Sequence, residues 1–139
     1  MIINGENLIL GRLATMAAKT ALLGDKVDII NCEKIVIVGK KDNIVSTYRQ
    51  KFDRKTPRKG PFIPRMPDRL VRRMIRGMLP YKKERGKTAF KKIMCHIGTP
   101  DNFKNEKIET FDKINVLKGN NINYLNIQNL CKLLGNTKL

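Results

Sequence analysis

The sequence is short of the side chains that most catalysis needs. Among 139 residues there is one histidine, no tryptophan, and 12 Asp plus Glu in all. The three cysteines, Cys32, Cys95 and Cys131, are odd in number and widely spaced. That argues against a disulfide framework and fits reduced thiols in a cytosol. No stretch reaches the roughly 18 apolar residues of a transmembrane helix. The opening Met1-Ile2-Ile3-Asn4-Gly5-Glu6 lacks a basic run followed by an apolar one, so it does not read as a secretory signal. It also lacks the Arg/Ser-rich character of a transit peptide, and no internal repeat is visible.

Positive charge is plentiful. Lys plus Arg number 29, the formal charge is +17 and the pI is near 10.2. Hydrophobic residues make up 41%, too many for a disordered basic tail. The length supports one domain that buries roughly two-thirds of its unfolded surface. The charge is unevenly placed: residues 51–92 carry 16 basic and 3 acidic side chains, net +13, while the flanking stretches 1–50 and 93–139 are each net +2. A merely soluble protein mixes the signs. One sign concentrated in 42 residues is the footprint of phosphate binding, and a polyanionic partner would offset the self-repulsion.

The periodicity predicts a strand at Leu8–Leu10, then a helix from Arg12 to Leu23 with Leu13, Met16, Ala17 and Ala21 along one side and Gly24 at its end. Strands follow at Val27–Ile30 and at Ile35–Val38, the latter an unbroken β-branched run expected to be covered on both faces. Asp42 is placed to cap the next helix, which carries Ile44, Val45, Tyr48 and Phe52 on one side. Strand, helix, strand, strand, helix is the order of an α/β layered domain, with a right-handed parallel crossover from the first strand to the second.

Residues 54–67 hold four prolines, one glycine and five basic residues, which predicts an extended loop. Asp68 to Leu79 reads as a helix with Arg69, Arg72, Arg73 and Arg76 on one face and Val71, Met74, Ile75 and Met78 on the other. Pro80 ends it. A helix over Thr88–Lys92, a core strand over Ile93–Ile97, a short strand over Asn123–Leu125 and a terminal helix bearing Ile127, Leu130, Cys131 and Leu134 complete the prediction. Residues 1–100 form the expected core domain, and 101–139 a C-terminal extension packing on it.

Enzyme motifs fail on inspection. Gly86-Lys87-Thr88 has the ending of a phosphate-binding P-loop, but the required glycine five positions earlier is Tyr81, and a basic helix stands where a buried strand should. Cys95 and His96 are neighbours on a strand and point to opposite faces, so they do not share a metal or form a nucleophilic pair. No catalytic residue, metal or cofactor is called for. The basic amphipathic helix would also suit an anionic membrane or an acidic partner protein, but it lacks Trp/Phe anchors and its charge continues through both flanks. RNA fits better than regulatory DNA reading, because there is no helix-turn-helix partner, zinc finger or heptad. Phe62 and Tyr81 are expected in core or loop packing before RNA contact.

Ile75-Arg76-Gly77-Met78-Leu79-Pro80 followed by Arg85-Gly86-Lys87 resembles the signature of the ribosomal protein L13 family of the large subunit. Gly11-Arg12-Leu13-Ala14 with Lys19, then Asn31-Cys32-Glu33-Lys34 with Gly39, resembles that family's N-terminal half in the same order. Gly60-Pro61, Arg65-Met66-Pro67-Asp68-Arg69 and the tail Leu130-Cys131-Lys132-Leu133-Leu134-Gly135 resemble its archaeal branch. Cys95 and His96 depart from the aliphatic and aromatic residues the family tends to place in the last strand.

The resemblance implies a three-layer α/β/α fold with a small, mostly parallel central sheet of about four strands. It further implies a non-enzymatic role on large-subunit rRNA beside neighbouring ribosomal proteins, in the cytoplasm, with participation in subunit assembly. The matching basic positions are Arg12, Arg65, Arg69, Arg76, Arg85 and Lys87. Charge placement adds Arg54, Lys55, Arg58, Lys59, Arg72, Arg73, Lys82 and Lys83 as RNA-binding residues. Gly77, having no Cβ, suits a close approach either to RNA or to a sheet. The competing expectation is a free RNA-binding assembly or modification factor.

Overall fold

In the computed structural model, which describes residues 1–103, 106–119 and 123–135, the first strand is β1, Ile2–Asn4. It precedes the strand expected at Leu8–Leu10, where Leu8 and Ile9 each make one isolated bridge, to Asn115 and Val36, and Leu10 already opens helix α1 (Leu10–Leu23). A parallel neighbour requires the chain to cross back over the sheet through a dozen or more residues, and β1 placed early leaves Gly5–Lys26, with α1 inside it, for that return. Helix α1 buries Leu13, Ala14, Ala17 and Ala21, small residues that let it lie close. Gly24 terminates it in the left-handed region at φ 116°, its N–H donating to the Ala21 carbonyl.

Strand β2 (Val27–Ile30) pairs parallel with β1, with Ile3 opposite Ile29. Strand β4 (Ile93–Cys95) pairs parallel with β2 on its other side, and β5 (Ile108–Glu109) pairs parallel with β1. The sheet order is β4-β2-β1-β5. Helices surround this sheet in a three-layer α/β/α arrangement, as the resemblance implied.

Strand β3 (Val36–Val38) stays out of it, pairing antiparallel with β6 (Tyr124–Asn126). Its expected coverage on both faces is therefore not met: Val36 is buried, Ile37 half-buried and Val38 37% exposed. A β-branched run reports strand propensity and not membership of a particular sheet.

Helix α2 (Lys41–Asp53) buries Ile44 and Tyr48. Lys40, not Asp42, occupies its cap position; Asp42 lies in the first turn, where its charge complements the helix dipole. Helix α3 (Pro67–Gly77) starts on its proline and ends two residues short of Leu79. Helix α4 (Glu84–Lys91) starts four residues earlier than expected. The strand expected to reach Ile97 ends at Cys95.

Helix α5 (Ile127–Leu133) buries Ile127, Leu130 and Cys131 and touches the Cys32–Lys34 turn and α3. Helix α3 is thereby held by α1, β4 and α5 together.

Gly86 locks the junction between α3 and α4. A Cβ there would lie 2.1 Å from the Pro80 carbonyl oxygen and 2.9 Å from Tyr81 N, both backbone atoms. Gly86→Ala should destabilise the protein by about 1–3 kcal/mol, measured by urea unfolding, because backbone cannot yield as a side-chain tip can.

All three cysteines are free and buried. Hydrogen bonding with the Cys95 thiol, then burial, pushes the Cys32 thiol far up; burial, then the nearby Asp68 charge, pushes Cys131 up to about 11. Thiolate is the reactive form. A disulfide-exchange reagent at pH 8 should therefore label the native protein only at its unfolding rate, and label all three sites promptly in denaturant.

Candidate nucleic-acid interface

The basic segment splits into four pieces, each built by different local physics. Residues 54–67 are not simply extended. Thr56 and Gly60 exchange backbone hydrogen bonds of 2.9 and 3.0 Å, closing a tight turn, and Gly60 sits at φ 79°, where a side chain would be strained. Arg58 and Lys59 occupy the tip of this turn, Arg54 and Lys55 its entry, and all four are exposed. Phe62 is 65% exposed, so the packing expected for it is not found. Its main chain does serve the site, because the Phe62 carbonyl accepts a 3.1 Å hydrogen bond from Arg73.

Helix α3 is the second piece. Leu70, Val71 and Ile75 form its buried side, Met74 is half-buried, and Met78, expected on that side, is 41% exposed beyond the helix end. The opposite side carries the arginines, which differ in what they touch. Arg69 and Arg73 are exposed, while Arg72 and Arg76 are half-buried. The Arg72 guanidinium stacks 4.5 Å from the Phe90 ring centroid, and its Nε donates to the Ile93 carbonyl at 3.0 Å. Arg76 stacks 4.4 Å over Tyr81, and Arg65 5.2 Å over Phe52. Stacking occupies the face of a guanidinium and leaves in-plane N–H donors, the ones that match phosphate oxygens. Tyr81 thus orients an arginine, a role the sequence shows only as an aromatic five residues after Arg76.

The third piece is the turn and first half of α4. Lys82, Lys83, Arg85 and Lys87 are exposed there, and Lys87 approaches Glu84 at 3.8 Å. Arg85 shares a groove with Thr15, Lys19 and Met78, and Thr15 Oγ1 lies 3.4 Å from the Met78 sulfur, so α1 contributes Lys19 to this edge. The fourth piece is Arg12, exposed on α1 in a groove with Asp112, Lys113 and Lys118. Asp112 pairs with Lys118 at 2.6 Å. Lys113 and Lys118 were missed by sequence reasoning, since their stretch is nearly neutral; the pairing of β5 with β1, the Leu8–Asn115 bridge and the bond from Ile9 N–H to the Ile114 carbonyl bring that stretch back to α1. Lys51, 4.8 Å over the Tyr48 ring, was also missed as a site residue.

Self-neutralisation is sparse. Among the described residues, Arg69, Arg72, Arg73 and Arg76 form no ion pair, and Asp68, the one acid of α3, sits in its first turn. Gly77, at the C-terminal end of α3, has no heavy atom within 4 Å of where a Cβ would stand. The close approach to a sheet that its missing Cβ suggested is therefore absent. A helical glycine is about 1 kcal/mol less favourable than alanine, and neither packing nor a left-handed φ requires one here.

His96 is half-buried beside Asp28 at 3.4 Å and tilts against Phe103, while Cys95 points the other way into the core. Among the described residues no three His, Cys, Asp or Glu side chains are grouped to hold a metal. The fold and the site together describe a small α/β core that carries a concentrated run of cations, net +13 over residues 51–92.

Comparison with known proteins agrees. Residues 1–102 match the family described as Ribosomal protein L13, and the chain belongs to that family. It is 50% identical over 99 residues to large ribosomal subunit protein uL13 of Methanopyrus kandleri, an alignment covering 71% of this chain and 62% of that one. It is 43% identical over 139 residues to the uL13 protein of Methanocaldococcus jannaschii, covering 96% of each. The corresponding protein of Natronomonas pharaonis is 34% identical over 135 residues, covering 97% of this chain and 90% of its own. These relatives are archaeal, as the tail and Arg65–Arg69 motifs suggested.

Arg72 separates two duties that its neighbours do not combine. Arg72→Gln should lower stability by about 1–2 kcal/mol in urea unfolding, through loss of the Ile93 hydrogen bond and the Phe90 contact. Arg58→Gln with Lys59→Gln should leave the unfolding midpoint where it is.

Proposed function

We propose that this chain is a structural constituent of the large ribosomal subunit, binds large-subunit rRNA through its basic loop and helix, and supports subunit assembly. Family membership supports the ribosomal role. The observation that carries the RNA contact is the mostly exposed cation set of residues 51–92, net +13 in a chain of +17, in which Arg69, Arg72, Arg73 and Arg76 form no ion pair among the described residues. Arg54, Lys55, Arg58 and Lys59 reach phosphates from the turn; Arg65 just before α3 and Arg69, Arg73 and Arg76 on it fix the register. Lys82, Lys83, Arg85, Lys87 and Arg12 extend the contact at its edges, and Arg72 joins it with the donors its Nε bond leaves over. In this reading 1–100 is the core domain and 101–139 an extension that packs on it, neighbouring ribosomal proteins cover other faces, and the assembly works in the cytoplasm.

Phosphate neutralisation has a thermodynamic signature. With roughly 6–10 phosphate contacts, affinity for large-subunit rRNA should fall about 10³–10⁵-fold between 50 and 200 mM salt. Changing Arg54, Lys55, Arg58 and Lys59 together to Gln should reduce the log–log salt slope by about 3–4, at unchanged thermal stability. Filter binding across a salt series checks both, and a flat titration for the unmodified protein overturns the proposal.

A further inference from the structure

Between α2, the end of the basic loop and α3 lies a cavity of about 360 Å³, within the size range of small-molecule sites. Tyr48, Ile63, Leu70, Met74 and Met78 give it apolar walls. Lys51 and Arg73 also line it, and no carboxylate does. Gly77 lines it as well, with open space where its Cβ would stand.

Three observations converge on one occupant. The walls reject a bare phosphate, which needs donors on several sides. The two cations place the pocket within the phosphate-binding surface, so whatever enters carries negative charge outside and an apolar body inside. The glycine keeps one wall thin at a place where neither packing nor backbone conformation asks for glycine. A nucleotide with its base turned out of the stack has this combination of flat apolar body and attached phosphates.

We propose that this cavity receives an unpaired base of the bound RNA, seated against Met74 and Ile63 beside Gly77, with its flanking phosphates on Lys51 and Arg73. The inference rests on the RNA-binding reading above and adds a seat for a base to a surface otherwise built for backbone charge. Lys51 is already poised over the Tyr48 ring at 4.8 Å, and Arg73 is steadied by the Phe62 carbonyl at 3.1 Å, so both cations are held before RNA arrives.

The test uses the full chain and deproteinised large-subunit rRNA. Gly77→Leu fills the cavity without altering charge. Its affinity should fall about tenfold or more, as losing a seated base does, with the salt slope unchanged and the thermal midpoint no lower than that of the unmodified protein. Gly77→Ala should show a smaller loss in the same direction, and it decides the matter if Gly77→Leu does not fold. Dimethyl sulfate probing should find an unpaired adenine or cytosine, or a few such bases, protected by the unmodified protein and reactive again with Gly77→Leu. Equal affinity for all three proteins overturns the inference while leaving rRNA binding intact. So does a loss accompanied by a shallower salt slope, which would mean phosphate contact alone. Normal rRNA binding by Gly77→Leu combined with poor retention on reassembled large subunits also overturns it, because a protein side chain then fills the cavity. Failure of the unmodified protein to bind the rRNA would instead remove the reading on which the inference rests.

Discussion

The seating of α3 is the constraint on which the rest depends. Leu70, Val71 and Ile75 enter a core supplied by α1, β4 and α5, and that burial determines the rotation of the helix about its own axis. A helix rotated by one residue would turn its side chains through about 100°, taking the guanidinium groups into the core and the aliphatic ones into water. The side of the helix on which the arginines emerge is therefore fixed by the core, and Phe90, Tyr81 and the Phe62 carbonyl then orient Arg72, Arg76 and Arg73 individually. Burial on one side sets which face is cationic, and among the described residues the four arginines of that face form no ion pair.

That arrangement also limits how much repulsion the fold must absorb. The cations lie on a turn tip, a helix face and a short second helix, and the scaffold around them is close to neutral: residues 1–50 and 93–139 each carry net +2. Aromatic rings do part of the spacing. Phe52, Tyr81 and Phe90 each lie under one guanidinium, which holds three arginines apart and pre-sets their planes. Arg72 shows the limit of the scheme. Its bond to the Ile93 carbonyl ties α3 to the edge strand β4, so this residue serves the fold first.

Belonging to the Ribosomal protein L13 family makes sense of a chain with so little catalytic equipment. A structural role of the kind proposed needs a rigid support, cations in a set geometry and few reactive groups. Its three cysteines are buried, Cys32 and Cys131 with raised thiol pKa values, and its one histidine is engaged with Asp28 and Phe103. At Gly86 backbone meets backbone: the start of α4 packs on Pro80 and Tyr81, just past the end of α3, with no room for a side chain.

Much of this was open to inspection in the primary structure, and the reason is periodicity. The i, i+3, i+4, i+7 spacing of Arg69, Arg72, Arg73 and Arg76 puts them on one helical face without reference to the fold, and the net +13 segment marks where the charge concentrates. Local spacing was less able to tell Leu8–Leu10 from Ile2–Asn4 as the first strand, because both are short apolar runs and only pairing with β2 chooses between them. It placed Val36–Val38 in a strand but not in its separate pair with β6, since that partner lies some 90 residues away in sequence. The cavity beside Gly77, the grouping of Arg12 with Lys113 and Lys118, and the commitment of Arg72 to Ile93 were decided by tertiary structure alone. Each depends on segments brought together by long-range packing, whereas the identity of the cationic face follows from nearest neighbours along one helix.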